Sequence, residues 1–215
     1  MEPTTTDSTL EQRPKQMWIR LESNPDIIHE NGVDQAWNFH DIYGFDEPSM
    51  IPESTVAIIF LYPVNDISKQ FRQEEKEKLI SQGQDMSDNV IYFKQTIGNA
   101  CGPGLFHDIV TKAEKMSIKD RAELLETNEE LATVHKNAAL SGQTKPRTDN
   151  SDRHYYVCFT KIDGQLYELD GSKAFPIYHG PCEDFVQATF KVLLEYIERD
   201  SKSYDFSAMA LSKSN

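Results

Sequence analysis

Residues 55–63 read TVAIIFLYP, an almost continuous apolar run rich in Ile and Val. No other stretch restricts the fold as much. The run is far short of the eighteen or more apolar residues that cross a bilayer. A short apolar segment of this composition belongs in the middle of a sheet, buried on both faces. A second signal sets the direction of pairing. HYYVCFTK (154–161) and QLYELD (165–170) flank Ile162-Asp163-Gly164, which marks a hairpin and hence antiparallel strands.

The remaining segments fall around these two. The first sixteen residues are polar and read as a mobile tail. MWIRLE (17–22) reads as a short strand, and Ser23 or Asn24 is placed to cap a helix that starts at Pro25 and stops at Gly32. WNFHDIY (37–43) alternates as a strand does. The charged segment 70–82 is a surface helix or a mobile loop. Residues 105–116 and 118–140 have helix-like spacing, whereas SGQTKPRTDNSDR (141–153) has no large apolar residue and reads as a loop. AFPIYH (174–179) is a strand candidate. Residues 183–199 repeat Phe185, Ala188, Val192, Leu193 and Ile197 at helical intervals, and FSAMAL (206–211) is a last strand. The pattern implies one α+β domain over 17–215 with an antiparallel sheet.

Composition removes several classes of function. A net charge of −13 disfavours nucleic acid and anionic membrane as partners, because both attract clustered Lys and Arg. Residues 1–16 lack the apolar centre of a secretory signal. Three cysteines, Cys101, Cys158 and Cys182, cannot all pair within one chain, and no CxxC pair offers a structural zinc site. These features point to a reducing, cytoplasmic setting, with the nucleus open as well.

One thiol stands apart. QTIGNACGPGLFHDIV (95–110) places Cys101 where a Gly-Pro-Gly turn runs into a helical pattern. A helix N-terminus lowers a thiol pKa and directs free backbone N–H groups toward developing negative charge. Gln95 adds a side-chain amide as a second donor. A cysteine nucleophile needs a base, and the base an orienting partner. Among the histidines, His154 opens the first hairpin strand directly after the polar loop, and Asp170 closes the second strand. His40, His135 and His179 read as surface or core-edge residues, His107 as structural, and Cys158 and Cys182 as small buried hydrophobes.

Whether His154 and Asp170 meet depends on the turn. With a three-residue loop, Lys161 pairs with Gln165 and Asp170 lies opposite Tyr156, diagonally beside His154 at roughly 7–8 Å between Cα atoms. A two-residue Asp-Gly turn pairs Asp170 with Val157 and sends it to the other face. Chemistry that joins the two residues therefore predicts the three-residue turn, unless a bulge intervenes.

Taken in order, LESNPDII, DIYGF, VAIIFLYPV, KQTIGNACG, HYYVCF, LYELDGSKAFPIYHG and FSAMALS resemble the ubiquitin carboxyl-terminal hydrolase family of cysteine peptidases. The resemblance spans 17–211. It implies a papain-like fold, a central antiparallel sheet flanked by helices, with a knotted backbone. Matching the motifs carries the nucleophile to Cys101, the base to His154, the orienting acid to Asp170 and the oxyanion amide to Gln95. No metal or cofactor is expected, as the family resemblance implies. Two stretches depart from the family pattern. CGPGLFH has one residue fewer between Cys-Gly and His, which turns the following helix by about 100°. DEPSMIP (46–52) looks like a trimmed loop.

The resemblance further implies a small, free-standing, monomeric enzyme that cleaves after the C-terminal glycine of ubiquitin through a thioester, drawn by its acidic surface to the basic ubiquitin tail. The loop 141–153 is expected to cross the active site. Its thirteen residues span at most about 45 Å extended and enclose a ring of about 15 Å. A compact domain of about 75 residues is wider than that, so small or unfolded adducts should pass and folded ones should not. The alternatives are a hydrolase for a ubiquitin-like modifier, another Cys-His-Asp enzyme such as an acyltransferase, and a ubiquitin-binding module without activity.

Overall fold

A computed structural model of the chain describes His29 and residues 33–94, 112–127 and 154–214. The expected strand 17–22, the Gln95–Cys101 motif, the helical segments over 105–111 and 128–140, and the loop 141–153 lie outside the described residues, as does the path that a knot would follow.

The described residues form one six-stranded sheet in the order β1-β6-β2-β3-β4-β5. The strands are β1 (Trp37–Ile42), β2 (Ala57–Pro63), β3 (His154–Ile162), β4 (Gln165–Leu169), β5 (Ile177–Pro181) and β6 (Ser207–Lys213). Every neighbouring pair is antiparallel. Among the described residues, the α-helices that accompany the sheet are α1 (Asp66–Gln82), α2 (Ile118–Thr127) and α3 (Phe185–Arg199). This is the α+β architecture expected from the sequence. The charged segment 70–82 resolves as helix, and it starts earlier, at Asp66. Asn65 and Ser68 form a reciprocal capping box there: the Asn65 side chain accepts from the Ser68 N–H, and the Ser68 hydroxyl accepts from the Asn65 N–H.

The central run behaves as its composition demands, with one correction. β2 lies between β6 and β3, in the middle of the sheet. Its burial alternates, however. Ile58, Phe60 and Tyr62 are buried, while Ala57, Ile59, Leu61 and Pro63 are half-buried. The fully buried face is the one that α3 covers. Phe185, Val186, Phe190, Leu193 and Tyr196 of α3 pack with Ile58, Phe60, Val157, Phe159, Ala208 and Ala210 of the sheet. Each large apolar side chain so buried contributes about 1.5–3 kcal/mol. The α3 repeat read from the sequence is thus a core repeat, and Asp184 caps it by accepting from the Gln187 N–H.

An aromatic series runs through this core toward the N-terminal end of β3. Phe206 stacks on Phe60, Phe60 on Tyr62, and Tyr62 packs at 4.8 Å on Tyr196 and 5.1 Å on Tyr155. Tyr155 immediately follows His154, so close packing fixes the backbone that presents the histidine.

Candidate active site

The hairpin turn decides how β3 and β4 present their side chains. Ile162 pairs with Gln165 and Lys161 with Leu166, so the loop has two residues, not the three expected. Asp163 (φ 52°) and Gly164 (φ 75°) both take the left-handed conformation. An Asp-Gly pair tolerates this better than almost any other, and two successive left-handed residues match the twist of the flanking strands. The Asp163 carboxylate is also held by the Ser87 hydroxyl and the Asn89 amide, which hold its carboxyl below the ordinary range.

The consequence for the expected pair is direct. Continuing the register from Leu169–Cys158 puts Asp170 beside Val157, on the α3 face with Tyr155 and Phe159. His154 pairs with Pro63 and faces the other way, with Tyr156 and Cys158. The described structure therefore does not bring His154 and Asp170 together.

Asp170 is only 2% exposed, and both its oxygens have partners. Oδ1 accepts from the Ser172 N–H at 2.9 Å and the Ser172 hydroxyl at 2.6 Å. Oδ2 pairs with the Arg72 guanidinium, which reaches across from α1. Arg72 also donates to the Tyr62 hydroxyl at 2.8 Å and to Ser172 Oγ at 2.7 Å, and lies 4.0 Å from the centroid of the Tyr155 ring. The Asp170 carbonyl accepts from the Tyr92 hydroxyl and the Lys173 N–H. The turn after β4 is thereby held from several sides.

The carboxylate that faces His154 is that of Asp205. Its Oδ2 lies 2.7 Å from His154 Nε2. The histidine side chain is 15% exposed and that of Asp205 68%. Asp205 sits in the connection from α3 to β6, and the connection is tied down along its length. The Asp200 N–H caps α3 on Ile197, the Asp200 carboxylate accepts from the Asn65 amide at the start of α1, the Ser203 N–H donates to the Asp200 carbonyl, and the Asp205 N–H donates to Ser203 Oγ.

Beneath Asp170 lies a buried ionic cluster that the sequence reading passed over. Glu168 is fully buried, and Lys173 donates to it, to Glu75 of α1 and to the Tyr196 hydroxyl. His179 Nε2 meets the other Glu168 oxygen at 2.9 Å, and Tyr196 donates to Glu168 at 3.0 Å. A signal was present: Leu166, Glu168 and Asp170 alternate on one face of β4, and carboxylates on a core-facing row require buried cations. Arg72 carried none, being one charge among many on α1. His179 lies half-buried at the edge of the core, as expected. Cys182 is buried as expected, whereas Cys158 is only half-buried. Burial pushes the Cys158 thiol up to about 11 and raises that of Cys182 as well. Neither has the environment of a nucleophile. Among the described residues no group of His, Cys, Asp and Glu could hold a metal ion, and no helix is long and apolar enough to cross a membrane.

Comparison with known proteins matches residues 18–198 to the family model for ubiquitin carboxyl-terminal hydrolase, family 1. A probable ubiquitin carboxyl-terminal hydrolase of Dictyostelium discoideum is 35% identical over 91% of this chain and 88% of its own length. Ubiquitin carboxyl-terminal hydrolase isozyme L1 of Homo sapiens is 34% identical over 90% of this chain and 97% of its own. In fold, the chain resembles the catalytic domain of Trichinella spiralis UCH37 solved with ubiquitin vinyl methyl ester, with a TM-score of 0.71, 20% identity, and coverage of 95% of this chain and 100% of that one. With the family model spanning most of its length and relatives of this identity aligned nearly end to end, the chain belongs to family 1 of the ubiquitin carboxyl-terminal hydrolases.

Proposed function

We propose that this protein is a thiol hydrolase that releases small or unfolded adducts from the C-terminal glycine of ubiquitin. The observation that carries the reading is the family match over residues 18–198, which encloses QTIGNACG, His154 and LYELDG in the family's order. Cys101 is the nucleophile. Its sulfur attacks the terminal glycine carbonyl as the thiol proton passes to His154. The Cys101 N–H and the Gln95 amide hold the oxyanion. The imidazolium then protonates the leaving amine, a thioester remains, and His154 takes a proton from water as hydroxide displaces the sulfur.

A carboxylate beside the imidazole fixes its ring and offsets its charge during both transfers. The family motif assigns that carboxylate to Asp170, whereas the contact to His154 is made by Asp205.

The test is covalent capture. Ubiquitin with a C-terminal electrophile should label the enzyme once, and peptide mapping should place the adduct on Cys101. Labelling elsewhere, or full turnover by Cys101→Ala, would end the assignment. The loop 141–153 sets the leaving-group preference in this reading. A ubiquitin–peptide fusion should be cut much faster than folded diubiquitin, and equal rates would remove the size limit.

A further inference from the structure

We infer that Arg72 is a positioning residue for the reaction: from α1 it holds the Asp170 carboxylate and the end of β3 that carries His154 in one fixed relation. The inference rests on the reading, implied by the family motif, of Asp170 as the acid that orients His154.

Three observations lead to it. First, one guanidinium joins the ends of three strands. Arg72 pairs with Asp170 just after β4, donates to the Tyr62 hydroxyl of β2 at 2.8 Å, and lies 4.0 Å from the centroid of the Tyr155 ring of β3. Tyr155 is the residue after His154, and Tyr62 is its partner across the ladder. The described structure does not bring His154 against Asp170, so their alignment depends on how the two strand ends are held. Arg72 holds both.

Second, the bonds around Asp170 fix the carboxylate and still leave it able to accept. Oδ1 accepts from the Ser172 N–H and the Ser172 hydroxyl. Among the described residues, Oδ2 accepts from Arg72 alone. Each oxygen of an ionised carboxyl has two acceptor positions, so one remains on Oδ2. Arg72 also donates to Ser172 Oγ at 2.7 Å, and the three side chains form a closed ring of bonds. Three tied positions and one open are what an orienting acid needs.

Third, the cation sits on a fixed stem and keeps its charge. The Arg72 side chain is 12% exposed, and α1 begins at a capping box about two turns earlier. A guanidinium stays protonated at any working pH. Its charge beside the carboxylate tempers the pull of Asp170 on an imidazolium proton. Arg72 thus sets proton affinity as well as geometry.

The experiment uses the full chain and ubiquitin carrying a C-terminal aminocoumarin amide. Arg72→Gln, which keeps donors without the charge, should lower kcat about tenfold with KM within about twofold of wild type. The pH at which kcat/KM falls to half on its acid side should rise by about half a unit, because a base beside the carboxylate holds its proton more tightly once the cation is gone. Arg72→Lys keeps the charge without the planar fork. It should lower kcat about fourfold and leave that pH close to the wild-type value. In the Asp170→Asn background, Arg72→Gln should cost less than about a further twofold, since its effect runs through the carboxylate. A merely structural role would lower the rate alike in both backgrounds and leave the pH profile in place. Unchanged kcat in Arg72→Gln, or an acid limb that does not move, overturns the proposal. Circular dichroism checks that each variant folds; should Arg72→Gln not, Arg72→Lys carries the test, and unchanged kcat there overturns the proposal. Should Asp170→Asn turn over at the wild-type rate, the reading of Asp170 fails instead, which is a separate result.

Discussion

Replacing Lys173 by Met probes the largest electrostatic investment in the core. The ammonium lies between Glu168 and Glu75 and donates to both and to Tyr196, with only 6% of its side chain exposed. Met fills similar volume but leaves two carboxylates without their cation, one of them fully buried. Breaking a buried pair from one side costs about 3–5 kcal/mol. For a chain of this length that lowers the thermal midpoint by about 10 °C.

The pH response gives a sharper criterion. In the wild type, burial pushes the Glu168 carboxyl up, and the Lys173 charge and the His179 hydrogen bond outweigh that push and hold it well below the ordinary range. Its contribution is present above the unfolded value of about 4.3 and is lost as pH falls through the lower folded value. In Lys173→Met, burial and the neighbouring Glu75 raise the folded value above the unfolded one. Stability of the variant should then increase as pH falls from about 7 to 5, where this group leaves the wild type unaffected. Urea unfolding followed by tryptophan fluorescence at several pH values measures both effects. A loss below about 1 kcal/mol, or a pH slope equal to the wild type's, would refute the reasoning.

Further predictions concern the turn and the thiols. In a double-mutant cycle with Arg72→Met and Asp170→Asn, urea unfolding should show a coupling of about 2 kcal/mol, since removing either partner strands the other; additive losses would deny the pair. Gly164→Ala should cost about 1 kcal/mol by the same assay. Nothing lies within 4 Å of the added carbon, so the cost is that of a left-handed backbone alone. Iodoacetamide at neutral pH should modify Cys101 well before Cys158 and Cys182, whose thiols burial holds protonated. Peptide mapping against time gives the order, and faster loss of Cys158 would contradict it.

The strands were legible because each carried its own signal. TVAIIFLYP could only be central, and the Asp-Gly pair could only be a tight turn. The three-residue turn that a His154–Asp170 pair requires has no support in the residues of the turn itself. Local chemistry had already chosen: both Asp163 and Gly164 accept a left-handed backbone, so the shorter turn wins. The partners of the site residues were the least legible part. Arg72 meets Asp170 across 98 residues of chain and Asn65 meets Asp200 across 135, and periodicity carries no information about contacts at such separations. Asp205 was invisible for the same reason: its meaning comes from the fold of α3 back onto β6, not from its neighbours in sequence. Cys101 and Gln95 are readable from sequence alone, through a motif whose chemistry needs a thiol at a helix entry.

The position of β6 bears on how the polypeptide is assembled. β1 and β2 are consecutive in sequence, yet each pairs with β6, the last of the described strands to be translated. Among the described strands, β1 has no neighbour until Ser207–Lys213 clears the ribosome, and β2 keeps the flank that β6 will take open to other nascent chains. The middle of the sheet closes only after synthesis of everything around it, so this enzyme's encounter with chaperones is decided by how quickly its final strand slides between two that have long been waiting.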